Sequence, residues 1–288
     1  MGSIREKLLT IATTKLYTQL EPAELQSLYD ELRSYTSSGD PNLSQSTYLN
    51  LMEMLFYVNV YLSKDVEAEV IYNSFRDRFG EDSPNLYVMK ATLLQINEND
   101  QAAVDYIEKL IKDSLEYDTD SLSYLVLQKK LISVKARAHD NEWLVSQVCS
   151  LIEKFPLDPE LYFYAGKLYD ELGQFSRAAY CYEEVLLIMP FNYVAFGNLA
   201  ESIYYKAIKT ERSAKLNYDT LQKSLNNALR SVELSENYLK GWSFVAMVSE
   251  KMGDKKELNT LARKRIEYIA TTSNSKNRAT AELVLKNL

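Results

Sequence analysis

The sequence predicts an all-α protein, a right-handed α-solenoid of stacked helix pairs, and three observations predict it. Residues 159–192, PELYFYAGKLYDELGQFSRAAYCYEEVLLIMPFN, read as two amphipathic helices with a turn at Gly173 and a stop at Pro190. Pro156 precedes Pro190 by 34 residues, the period of a helix–turn–helix repeat. Only 8 Gly and 6 Pro occur in 288 residues, which leaves little loop punctuation and suits helices joined by short turns. Length alone suggests about two domains. A repeat array overrides that count, because each repeat contacts mainly its neighbours.

The best repeat assigns roles to single residues. Counting back from Pro190, Gly166 falls where two helices approach closely and Tyr169 packs on the first helix. Gly173 makes the turn, Ala178 sits at the helix crossing, and Tyr182 fills the core face of the second helix. This set resembles the tetratricopeptide repeat, so the helix pairs are expected to be tetratricopeptide-like.

In chain order, residues 1–40 are expected to form an N-terminal helical cap. A first helix is predicted over Ser3–Gln19, with Ile4, Leu8, Leu9, Ile11 and Ala12 at helical spacing. A second starts at Glu21-Pro22, with Pro22 in the tolerated first turn, and runs to about Tyr35 before the break at 36–41. The repeat array is expected over 44–270. Its first unit uses Met52, Phe56, Ala68, Tyr72 and Phe75, closed by Gly80 and Pro84. The second uses Tyr87, Ala91, Leu94, Ala103, Ile107 and Leu110. The third, about 119–156, keeps Leu131, Ile132, Leu144, Val148 and Leu151 but lacks the small residues. The fourth is 159–192. The fifth opens with Phe196, Leu199 and Ala200 and then lengthens: Tyr193 to Leu239 spans 46 residues (239 − 193), which places an insertion at 206–220. The sixth opens with Trp242, Val245 and Ala246 and turns at Gly253. After a polar break at 271–276, residues 277–288 are expected to supply a short amphipathic helix covering the last apolar face.

Composition narrows the function classes. A formal net charge of −7 argues against nucleic-acid binding, which needs a basic stripe. The run Arg263–Arg265 reads as a solvated helix face. Cys149 and Cys181 lie in apolar helical runs and read as buried reduced thiols, which favours a reducing compartment. The N-terminus has neither the apolar core nor the cleavage site of a signal peptide, and Glu6 breaks the myristoylation pattern that Gly2 would begin. The most apolar run, Leu51–Leu62, is too short to span a bilayer and contains Glu53 and Asn59. The sequon at Asn42 is expected to be unused. About two-thirds of the 22 Tyr, including Tyr87, Tyr162, Tyr169 and Tyr182, are expected in core positions.

No catalytic set is evident. The single histidine, His139, sits beside a predicted turn and reads as a surface or capping residue, which removes most acid–base and nucleophilic constellations. No HExxH, paired CxxC or phosphate-binding glycine loop is present. The prediction is a non-enzymatic protein with no cofactor and no metal.

Repeats of this kind commonly grip an extended peptide, and one subtype clamps a C-terminal carboxylate with Lys and Asn on its first helices. Here Lys167 and Asn198 suit an anion, whereas Phe163 and Glu201 oppose it, so that clamp is not expected. Repeat geometry instead nominates Tyr164, Lys167, Asp170, Asn198, Glu201 and Tyr205 as partner-binding residues on the first helices. A closer resemblance covers roughly residues 4–288. The strings REKLLTIATTKLYTQL, MEMLFYVNVYLSKDVEAEVIY, KATLLQIN, FPLDPELYFYAGKLY, MPFNYVAFGNLAESIYY and ALRSVELSENYLKGW resemble the subunit 2 family of the endoplasmic reticulum (ER) membrane protein complex, in a fungal form. The resemblance implies a scaffold on the cytoplasmic face of the ER membrane, held there indirectly through its partners. It implies a hetero-oligomer that inserts tail-anchored and multipass transmembrane segments, in which this subunit holds cytosolic parts of the integral subunits, notably subunits 3 and 5. The alternative is a free cytosolic peptide-binding tetratricopeptide adaptor.

Overall fold

A computed structural model describes residues 4–41, 43–209, 214–272 and 275–288. They are all-α, with no strand among the described residues. The chain divides into two compact units, Met1–Arg137 and Ala138–Leu288. The boundary falls inside the third predicted repeat, between its two helices.

The first unit holds α1 (Ile4–Thr14), a 3-10 turn (Leu16–Gln19), α2 (Pro22–Ser38), α3 (Gln45–Tyr61), α4 (Asp65–Phe79), α5 (Pro84–Asn97), α6 (Asp100–Ser114) and α7 (Leu122–Lys135). Local chemistry explains the starts. Ser44, Asn99 and Ser121 cap α3, α6 and α7 by accepting from the backbone N–H three residues on. Pro22 and Pro84 occupy first turns, and Glu21 with Glu24 completes a capping box on α2. One core gathers Leu8, Leu32, Leu51, Met54 and Phe56 from α1 to α3, and another gathers Ala91, Ala103, Ile107 and Leu127 from α5 to α7.

The second unit holds α8 (Asn141–Lys154), α9 (Pro159–Glu171), α10 (Phe175–Ile188), α11 (Tyr193–Lys209), α12 (Ala214–Leu234), α13 (Leu239–Met252), α14 (Lys256–Thr272) and α15 (Ser275–Asn287). Asp140 and Asp158 cap α8 and α9. Gly173 and Gly253 end α9 and α13 in the left-handed region, at φ 70° and 78°. Successive helices pack as antiparallel pairs, and α15 covers α13 and α14 with the fully buried Ala281 and the half-buried Val284 and Leu285.

Several expectations are corrected. The first helix does not run unbroken to Gln19: Lys15 takes a left-handed conformation at φ 51° and the chain tightens into a 3-10 turn. The second continues to Ser38, past Tyr35, and stops at Gly39. The lengthening at 206–220 is taken up by extending α11 to Lys209 and starting α12 at Ala214, while residues 210–213 lie outside the described residues, as does Asn42. The last helix begins at Ser275, earlier than residue 277. Cys181 is buried but Cys149 is half-buried. Of the four tyrosines named for the core, Tyr162 and Tyr182 are buried and Tyr87 and Tyr169 are half-buried. Within Arg263–Arg265, Lys264 is exposed and the two arginines are partly exposed, each with a partner. Arg263 donates to the Leu288 carbonyl at 2.5 Å, and Arg265 pairs with Glu236 at 2.7 Å.

Candidate partner-binding surface

The best repeat packs tightly. An added Cβ on Gly166 would lie 2.8 Å from the Tyr182 ring, so α9 and α10 approach at a distance only glycine allows. Tyr182 is 1% exposed, and Ala178 and Ala179 are buried beside it. Phe163 meets the Tyr182 ring edge-on at 5.7 Å. Tyr169 packs against this cluster, lies 3.4 Å from Cys149 Sγ through its hydroxyl, and carries Arg177 over its ring. Pro190 is exposed just past α10. Two further close approaches were not legible in the repeat pattern: Gly197 of α11 lies against the Tyr238 ring, and Gly241 of α13 against Ser231 and Val232.

This packing fixes a polar network across α9, α10, α11 and α13. Asp170 of α9 accepts from Ser202 Oγ of α11 at 2.7 Å and from the Tyr182 hydroxyl of α10 at 3.1 Å. Asn198 Oδ1 accepts from Lys240 Nζ of α13 at 2.6 Å, and the same Lys240 pairs with Glu201. Burial raises the Asp170 carboxyl to about 6; the two hydroxyl donors and Lys240 oppose that shift, and Glu201 adds to it. The Tyr182 hydroxyl is held far up, by burial first and then by the Asp170 charge.

Of the six nominated residues, Asp170, Asn198 and Glu201 are therefore joined through Ser202, Tyr182 and Lys240. Asn198 is only 6% exposed. Tyr205 sits apart in an aromatic group, stacked on Phe175 at 5.4 Å and edge-on to Tyr204 and Phe244. Tyr164 is half-buried on α9, its hydroxyl raised by burial and then by Glu171. Lys167 is exposed and forms no ion pair among the described residues. Sequence reasoning missed Lys240 and Ser202. A serine between the apolar Leu199 and Ile203 had to find a buried partner, and that signal was available. Nothing local in the sequence links Lys240 to Asn198, 42 residues earlier.

His139 stacks on Trp143 at 3.8 Å on the surface. Among the described residues no three His, Cys, Asp or Glu are grouped to hold a metal ion, and no helix is long and apolar enough to cross a membrane.

Known proteins match this architecture. The tetratricopeptide-repeat family profile matches residues 159–192, the unit that contains Gly166 and Tyr182. Among solved structures, the C-terminal part of a tetratricopeptide-repeat protein from Cytophaga hutchinsonii aligns with a TM-score of 0.53 at 12% identity, over 94% of this chain and 98% of that one. A double mutant of MamA RS-1 gives the same score over 67% of this chain and 98% of its own. Both likenesses concern the fold alone. Among sequences, the TPR repeat protein oca3 of Schizosaccharomyces pombe is 22% identical over 87% of this chain and 83% of its own. The ER membrane protein complex subunit 2 of Saccharomyces cerevisiae is 48% identical over 289 residues, 99% of this chain and 98% of that protein. End-to-end identity of this level, on a tetratricopeptide scaffold, means that the chain belongs to the family of ER membrane protein complex subunit 2.

Proposed function

We propose that this chain is a non-enzymatic scaffold subunit of an ER membrane protein complex, standing on the cytoplasmic face of the membrane and held there by its partners. The observation that carries the reading is the 48% identity, over 99% of the chain, to a protein named as a subunit of that complex. A stacked-helix surface suits the role, since it offers long, rigid contact faces without a reaction centre. By family resemblance the complex inserts tail-anchored and multipass proteins, and this subunit organises the cytosolic parts of integral subunits 3 and 5.

Within the second unit, Tyr164, Lys167 and Glu201 are the nominated residues with side chains accessible enough to meet a partner directly, together with the half-buried Tyr205. Asp170 and Asn198 act behind them, by fixing α11 and the Lys240 head. The test of the scaffold role is affinity purification of the tagged chain from detergent-solubilised membranes, with mass spectrometry of the co-purifying proteins. A stoichiometric set of integral ER proteins is expected. Recovery of the chain alone, or with soluble peptide-bearing proteins only, would identify a free adaptor instead. Charge reversal at Lys167 and Glu201 is expected to reduce that recovery severalfold in a chain whose circular dichroism is unchanged; full recovery would remove these residues from the interface.

A further inference from the structure

The first unit carries a second surface with a definite chemistry. Ser46, Asn50, Glu53, Tyr57 and Tyr61 succeed one another along α3 at spacings of three and four, so they form one stripe. At the Ser46 end the stripe borders a slot of about 300 Å³ between α3, α4 and α5. Its lining is apolar at Leu49, Phe75, Phe79, Leu86 and Met89, and also includes Asn50 and Asn85. Glu53 is the one charged residue among the described residues that line it.

Glu53 is half-buried and makes no hydrogen bond or ion pair among the described residues. Burial raises its carboxyl above the usual range, and Lys15, which forms no ion pair with it, opposes that shift. Of the arginines on α4, Arg78 lies over the Phe79 ring, 5.4 Å from its centre, and Arg76 pairs with Asp77, and neither pairs with Glu53. Further along, Tyr17 from the 3-10 turn packs between Tyr57 and Tyr61, with ring centres 6.5 and 6.4 Å away. Burial pushes the Tyr17 and Tyr57 hydroxyls up, and the Glu53 charge adds to both, after Tyr61 in the case of Tyr17. The chain itself thus leaves this carboxyl without a cation in contact among the described residues.

Lysine and arginine fit such a place, because each joins an apolar stem to a cationic head. A slot of about 300 Å³ is at the small end of ligand pockets, wide enough for a long side chain and too narrow for a helix. From Ser46 to Tyr61 the stripe runs about 22 Å, the reach of roughly seven extended residues. Tyr61, 53% exposed, and Phe79, 48% exposed, offer apolar contact on either side of the carboxylate. We propose that this stripe docks an extended protein segment, with one lysine or arginine whose stem lies on Phe79 and Met89 and whose charge meets Glu53. The inference deepens the scaffold reading, on which it rests, by naming the chemistry of one segment the scaffold holds.

The test uses the purified full chain and a phage-displayed library of random 12-residue peptides, followed by fluorescence anisotropy of a selected peptide. The expected result is enrichment of a lysine or arginine at a fixed position. Affinity should fall at least tenfold, about 1.4 kcal/mol, in Glu53→Gln, whose melting temperature stays at or above that of the parent chain. Replacing the selected basic residue by norleucine should cause the same loss, and no further loss in Glu53→Gln. Phe79→Ala should weaken binding severalfold through the stem. Selected peptides without a basic residue, or an affinity indifferent to Glu53→Gln, would overturn the proposal. A chain that passes the purification test but fails this one keeps the scaffold role and loses the cation-reading slot.

Discussion

At Gly166 the fold depends on the absence of one carbon atom. The Tyr182 ring occupies the space a Cβ would take, and its hydroxyl is held by Asp170, so the ring cannot easily swing away. Gly166→Val should therefore part α9 from α10 and destabilise the chain by about 1–3 kcal/mol or more. Thermal denaturation checks this, and an unchanged melting temperature would mean that the ring has room the geometry denies it. This position was legible in the sequence because the repeat around it is close to its consensus. Gly197 and Gly241 make equally close approaches but were not legible. Their partners, Tyr238 and Val232, lie past the insertion in the lengthened fifth repeat, where a fixed period no longer indicates which residues face each other. Arg263 shows the converse: a basic residue on a helix reads as solvated until the chain's last carbonyl, 25 residues away, is placed beside it.

Between elements, Asp170 joins α9 to α10 and α11, and its protonation should be visible in stability. Its carboxyl is raised to about 6 in the folded chain, against a usual value near 3.8. Between those values the folded chain holds a proton that the unfolded chain has released. Stability from this group therefore increases as pH falls from 7 through 6 toward 4, and is lost as pH rises through 6. Asp170→Asn keeps an acceptor for Ser202 and removes the buried charge. It should melt higher than the parent at pH 7, and the difference should shrink toward pH 4. A difference independent of pH would show that Asp170 is not the group titrating. Which helices form was legible throughout, from apolar spacing, caps and prolines. What each polar residue on them does was less so. Lys240 and Asn198 meet only because α11 and α13 pack side by side, and such long-range pairing leaves no local mark on either segment.

For the molecule as a whole, stacking leaves each end of an array with an apolar face that a neighbour would otherwise cover. In the second unit α15 covers that face. Ala281 is fully buried against α13 and α14, Val284, Leu285 and Leu288 pack beside it, and the Leu288 carbonyl accepts from Arg263. Ending the chain at Thr272 would uncover part of the cluster that contains Ile266 and Ile269. For side chains only partly buried, the loss amounts to roughly 3–5 kcal/mol. The first unit has cores of its own, from Leu8 to Leu93 and from Ala91 to Val134. The truncation should therefore act locally. Hydrogen exchange in the full and shortened chains is expected to show α13 and α14 losing protection while α3 to α6 keep theirs. Uniform loss along the chain would mean that the array unfolds as one cooperative body, and unchanged protection of α14 would deny α15 its role as a cap.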